Sequence, residues 1–144
     1  MIEKDIDNII LHQIEKTGKT VKSYSQKEFD KIGLGITIDQ WFLLQIIEES
    51  NEISQKELAD KSMRDPASIT RTLDILTKKG FVLREPIPNN KRQHSLSLTS
   101  VGDDFVKEHI DMVVKQRKKS IKGFSKEELM MLNALLKRIQ KNMK

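Results

Sequence analysis

The stretch SQKELADKSMRDPASITRTLDILTKKG, residues 54–80, decides the fold. Ser54 and Glu57 form a capping box: the serine hydroxyl can accept from the backbone N–H three residues on, while the glutamate reaches back to that of Ser54. A helix starts there. The chain turns between Lys61 and Arg64, and Asp65 and Pro66 then supply an N-cap acid and a first-turn proline for a second helix. That helix runs to Gly80, a residue suited to the left-handed position just past a helix end. Two short helices joined so tightly make a helix-turn-helix.

In the second helix Ile69, Leu73 and Leu76 recur at i, i+4 and i+7, the spacing that holds a helix against a core. Ala67, Ser68, Thr70 and Arg71 then occupy its outer, N-terminal part. A helix entering the major groove needs short side chains for close approach, donors and acceptors for base edges, and an Arg for guanine or phosphate. These four residues meet that need, and Arg64 in the preceding turn is placed with them as a DNA contact. The alternative is an ordinary solvated helix face, since helix-turn-helix geometry also occurs in proteins that bind no DNA.

The segment after Gly80 favours DNA. Phe81 to Arg84 and Leu96 to Leu98 are strand-like runs separated by Pro86, Pro88, Asn89 and Asn90, which predicts two strands and a loop tipped by Asn90-Lys91-Arg92. A basic loop beside a recognition helix is what a wing requires, because the negative potential of the minor groove attracts an inserted Arg. Between Lys61 and His94 there are eight Lys and Arg residues against three acids, a net +5. That equals the formal charge of the whole chain, whose 26 cations and 21 acids otherwise cancel. The excess charge therefore sits on the predicted binding segment, an electrostatic footprint of a nucleic-acid site.

The order of helix, helix-turn-helix, wing and long helix, with Ile53 to Ala59, Ser68 to Arg71, Leu76 to Val82 and Leu98 to Gly102, resembles the MarR (multiple antibiotic resistance regulator) family of bacterial transcription factors. Leu34 to Trp41 also resembles that family's approach to its second helix, and the likeness spans nearly the full length. In the family the wing usually carries an Asp two residues before an Arg; here the pair is Asn90 and Arg92. The resemblance implies that Arg92 enters the minor groove without the acid that normally steadies its guanidinium. It also implies an intertwined dimer built from the first helix and the last two, and apolar or aromatic effectors held between those helices and the DNA-binding lobe. Tyr24, Phe29, Trp41 and Phe105 are candidates to line such a cavity, although large apolar side chains at helical spacing are core by default.

The expected fold is mainly α with a small β-hairpin wing: one winged helix-turn-helix domain over residues 1–144. The helix-turn-helix falls at about 54–80, the wing at about 81–98 and the dimerisation helices at about 2–34 and 100–144. At the N-terminus, Ile6, Ile10, Ile14, Val21, Tyr24, Phe29 and Ile32 fit one helix or two broken near Gly18. Thr37 and Gln40 repeat the capping box at the start of a scaffold helix whose apolar face, Trp41, Leu44 and Ile47, runs to about Ser50, and Thr99 can cap a long helix ending near Gly123. Ser125 and Glu128 open the last helix, where Leu129, Leu132, Leu136 and Ile139 step by threes and fours as in a helix that packs along another helix. Those four are the expected dimer interface, because terminal helices this long leave apolar stripes that one 144-residue monomer does not cover.

Other chemistries lack their residues. The chain contains no cysteine, which removes disulfides and thiolate metal sites. His12, His94 and His109 lie far apart without metal-ligand spacing, so no cofactor or metal is expected. The acidic pairs Glu48-Glu49, Asp103-Asp104 and Glu127-Glu128 are adjacent, which on a helix aims the partners about 100° apart. Gly33-Leu34-Gly35 lacks the rest of a phosphate-binding loop. No enzyme is expected. No apolar run is long enough to span a membrane and no signal peptide is seen at Met1, which is followed by Glu3, Asp5 and Asp7, so a cytoplasmic location is expected. The expected function is that of a homodimeric repressor on a pseudo-palindromic duplex operator, relieved by a small effector. The alternative is a winged-helix module whose basic face meets an acidic protein.

Overall fold

The computed structural model describes the backbone of residues 2–144 and their side chains other than those of residues 2–4 and 91. The elements run α1 (Ile2–Ile32), α2 (Ile38–Ser50), β1 (Ile53–Ser54), α3 (Gln55–Ser62), α4 (Pro66–Lys78), β2 (Val82–Ile87), β3 (Asn90–Leu98) and α5 (Ser100–Lys118). A single 3₁₀ turn (Lys119–Ile121) and α6 (Lys126–Asn142) complete the chain.

Local chemistry sets most of these bounds. The capping boxes of Thr37 with Gln40, Ser54 with Glu57 and Ser125 with Glu128 are all formed, and Asp65 accepts from the Ser68 N–H to cap α4. At the other end of α4, the Phe81 N–H bonds to the Leu76 carbonyl and the Gly80 N–H to that of Thr77, a Schellman closure with Gly80 at φ +79°. α1 is continuous through Gly18. A lone exposed glycine costs a helix only about 1 kcal/mol relative to Ala, too little to break one this long. The helix stops instead at Gly33, whose φ of +72° ordinary residues avoid.

The core forms around α2. Trp41, Leu43, Leu44 and Ile47 meet Phe29 of α1, Leu58 of α3, Ile69, Leu73 and Leu76 of α4, Val82 and Leu96 of the sheet, and Val106 and Val113 of α5. Phe105 stacks on Phe81 with ring centroids 4.6 Å apart, which binds α5 to the start of the wing. α1 is held to the 3₁₀ turn by Lys119, 3.5 Å from Glu28, whose carboxyl lies below its ordinary pKa chiefly because Lys31 hydrogen-bonds to it.

The sheet has three strands in the order β1-β3-β2, all antiparallel. Its hairpin is longer than the sequence predicts: pairing continues from Val82 opposite Leu98 to Pro86 opposite His94 and Ile87 opposite Asn90. Prolines argue against a central strand, but β2 is an edge strand, where a missing N–H need not interrupt the ladder. The predicted loop is therefore a tight turn at Pro88 and Asn89, with φ +66° at Asn89.

α6 stands apart. It buries none of its own residues, and none of the closely packed pairs of elements includes it. Leu132 is 48% exposed, while Leu129, Leu136 and Ile139 are half-buried. On α1, Ile6, Ile9, Ile10, Leu11 and Ile14 are exposed as well. Among the described residues no helix is long and apolar enough to cross a membrane.

Candidate nucleic-acid interface

α4 presents the face that its sequence predicts. Ile69, Leu73 and Leu76 are buried, which turns Ala67, Thr70 and Arg71 outward, with Ser68 half-buried between them. Thr70 is already engaged: its hydroxyl donates to the Pro66 carbonyl at 3.0 Å and accepts from the Gln55 side chain at 3.1 Å. It can therefore offer a partner its methyl group and a remaining lone pair. Arg71 is exposed. Its guanidinium makes no hydrogen bond or ion pair with the described residues.

The wing carries Arg92 on an irregular stretch of β3. Between the Pro86–His94 and Ile87–Asn90 pairs, β3 carries three residues with no counterpart on β2, and a bulge of this kind re-aims side chains. Arg92 lies on it, exposed. The side-chain oxygen of Asn90 accepts from the Arg92 backbone N–H at 3.3 Å, so the amide that replaces the family's acid holds the local turn. Lys91, predicted as a second wing contact, has its side chain outside the described residues.

Helix and wing are tied by Arg84. Its Nη1 lies 3.2 Å from an Asp74 carboxylate oxygen, while Nε and Nη2 are buried with no hydrogen-bond partner among the described residues. The same side chain floors a cleft of about 330 Å³ lined by Gln55, Lys56, Thr70, Arg92, Gln93 and His94. In the sequence Arg84 counts only as charge, and Gln55 and Lys56 carry no sign of a role. Strand alternation holds the missing signal: Arg84 lies two residues after buried Val82, on the same inward face.

Arg64 is turned toward α2, with its side chain 37% exposed. Its guanidinium pairs with Asp39 at 2.7 Å and stacks 5.4 Å from the centre of the Phe42 ring, both on α2. Arg64, Asp39 and Phe42 also line a cavity of about 470 Å³ between α1, α2 and α5, with Val21, Trp41 and Gln116 among its walls. Gln116 is 7% exposed, and its Nε2 is buried without a hydrogen-bond partner among the described residues. Of the four predicted pocket residues, Trp41 lines this cavity, whereas Phe29 and Phe105 pack with it in the core. Tyr24 is half-buried and is not among the lining residues.

A capped recognition helix, a wing locked to it by an ion pair and a concentration of positive charge define a winged helix-turn-helix DNA-binding protein. The model of the MarR family matches residues 36–94, the second helix through the wing. The fold superimposes with a TM-score of 0.79 on a cysteine-to-serine variant of MarR from E. coli complexed with operator DNA, at 25% identity over 94% of this chain and 96% of that one. It matches a MarR/EmrR family regulator from Acinetobacter sp. ADP1 with a TM-score of 0.83 at 21% identity, covering 96% of each chain. AbsC, a MarR family regulator from Streptomyces coelicolor, matches with a TM-score of 0.82 at 17% identity, covering 96% of this chain and 95% of that one. Members of this family regulate transcription and are not enzymes.

Proposed function

We propose that this protein is a cytoplasmic homodimeric repressor that binds a pseudo-palindromic operator. Each protomer sets α4 in a major groove and its β2–β3 wing in the adjacent minor groove. The observation that carries the reading is the pairing of two outward faces: Ala67, Thr70 and Arg71 on α4 and Arg92 on the bulged wing, joined by Asp74 and Arg84. Bases are read by Ser68, Thr70 and Arg71, with Ala67 allowing close approach, and the wing contributes Arg92 and Lys91. The operator-bound E. coli relative supports the same use of the fold.

Dimerisation rests on the unburied stripes. Leu129, Leu132, Leu136 and Ile139 of α6 and the isoleucines of the first half of α1 are left half-buried or exposed within one chain, and a two-fold partner would bury both. Such a dimer spaces two recognition helices for paired half-sites.

A small effector that lowers DNA affinity would occupy the cavity beside Trp41. The apolar walls suit an aromatic or other apolar body, and the unsatisfied Gln116 amide suits an oxygen acceptor on it. Selection of binding sites from random duplex DNA with purified protein tests the central reading. A two-fold consensus with salt-dependent affinity is expected, whereas binding without sequence preference would leave the acidic-protein alternative in its place. Trp41 is the only tryptophan. Its fluorescence should report occupancy of the cavity in a screen of aromatic compounds.

A further inference from the structure

We infer that Arg64 acts on DNA binding without touching DNA: it is a positioning residue that, through Asp39, ties the start of the recognition helix to the α2 scaffold. Three observations converge. Arg64 immediately precedes Asp65, whose side chain caps α4, so wherever Arg64 is held the first turn of α4 goes with it. Its guanidinium is held from two sides, by the Asp39 carboxylate at 2.7 Å and by the face of Phe42. Met63, just before it, is in the left-handed region at φ +58°, so the turn depends on neighbouring contacts to fix its path.

Both partners of the pair are partly exposed, which keeps its energy small. That energy bounds the effect on binding, and it is felt by Ala67, Ser68, Thr70 and Arg71 together, because all lie within the first two turns that Arg64 anchors, where small displacements misalign hydrogen bonds to bases. An arginine serving as a phosphate contact would instead project outward with its charge free.

The inference rests on the DNA-binding reading, and the two fail differently. Wild-type protein and the duplex it selects from a random pool establish that reading first. Asp39→Asn, Arg64→Ala and the double variant are then titrated against the same duplex over a range of salt, with thermal melts to confirm folding. If Arg64 positions α4, Asp39→Asn weakens binding about two- to fivefold, the range set by pairs of this exposure. Arg64→Ala weakens it at least as much, the double variant is no worse than Arg64→Ala, and the salt dependence keeps its wild-type slope. If Arg64 contacts phosphate, Asp39→Asn frees the cation and tightens binding, while Arg64→Ala reduces the salt slope by about 0.9 for each protomer bound. Either of those results, or Asp39→Asn binding as wild type, overturns the inference. Arg64→Lys separates the roles again, because a lysine keeps a phosphate contact but lacks the planar group that stacks on Phe42.

Discussion

Gly102 lies against the carbonyl group of Phe81 so closely that a Cβ on it would overlap the Phe81 oxygen and stand 2.9 Å from its carbon. That carbonyl accepts from the Thr99 N–H at 3.0 Å, and the Thr99 hydroxyl both donates to the Gly80 carbonyl and accepts from the Gly102 N–H. The end of the recognition helix, the start of the wing and the first turn of α5 therefore meet at one backbone contact. Since the obstructing atoms are backbone, Gly102→Ala must push α5 away or strain the turn, and a loss of about 1–3 kcal/mol is expected from overpacking of this kind. Urea unfolding monitored by far-UV circular dichroism measures it; an unchanged midpoint would show that the junction yields freely.

Arg71→Ala should cost about 1–3 kcal/mol on the preferred duplex and relax base preference at one position in each half-site. Thr70→Val, which removes a hydroxyl already engaged by Pro66 and Gln55, should have a smaller effect. Repeating the site selection with each variant reads both; an Arg71→Ala loss that is equal on every sequence would reassign the side chain to phosphate.

Arg92→Ala should weaken binding and lower the salt slope by about one per protomer if the side chain neutralises a phosphate, or penalise sites with A·T-rich flanks if it reads a narrow minor groove. The acid usual in the family is expected to bring no benefit here. Asn90 already accepts from the Arg92 N–H, so Asn90→Asp adds charge near phosphates without adding a bond to the turn. Binding by Asn90→Asp should fall, most at low salt. An affinity that rises at moderate salt would mean that ordering of the guanidinium outweighs repulsion.

Charge placed at Leu132 or Leu136 should dissociate the proposed dimer, because an unpaired charge is costly in an apolar helix seam. Sedimentation velocity on Leu132→Glu should show a monomer with its winged unit folded, since α6 contributes nothing to the core of its own chain. Affinity for a two-half-site duplex should fall with dissociation. A wild-type monomer that binds such a duplex tightly would refute the arrangement.

Features set within a few residues of each other are legible in the sequence. Helix starts at Thr37, Ser54, Asp65, Thr99 and Ser125 depend on a side chain and an N–H three residues away, and the outward face of α4 comes from the spacing of Ile69, Leu73 and Leu76. The concentration of positive charge needs only counting. Packing in three dimensions governs what distant residues do to one another. Pairing through Pro86 depends on β2 lying at the sheet edge, and the two-residue β1 exists only because Leu96 and Ser95 are there to pair with it. Asp39 and Arg64 are 25 residues apart, and Asp74 and Arg84 are joined only across a helix end and a turn. No local pattern brings such pairs together, because partner choice among long, flexible charged side chains is set by where the packed helices and sheet leave them.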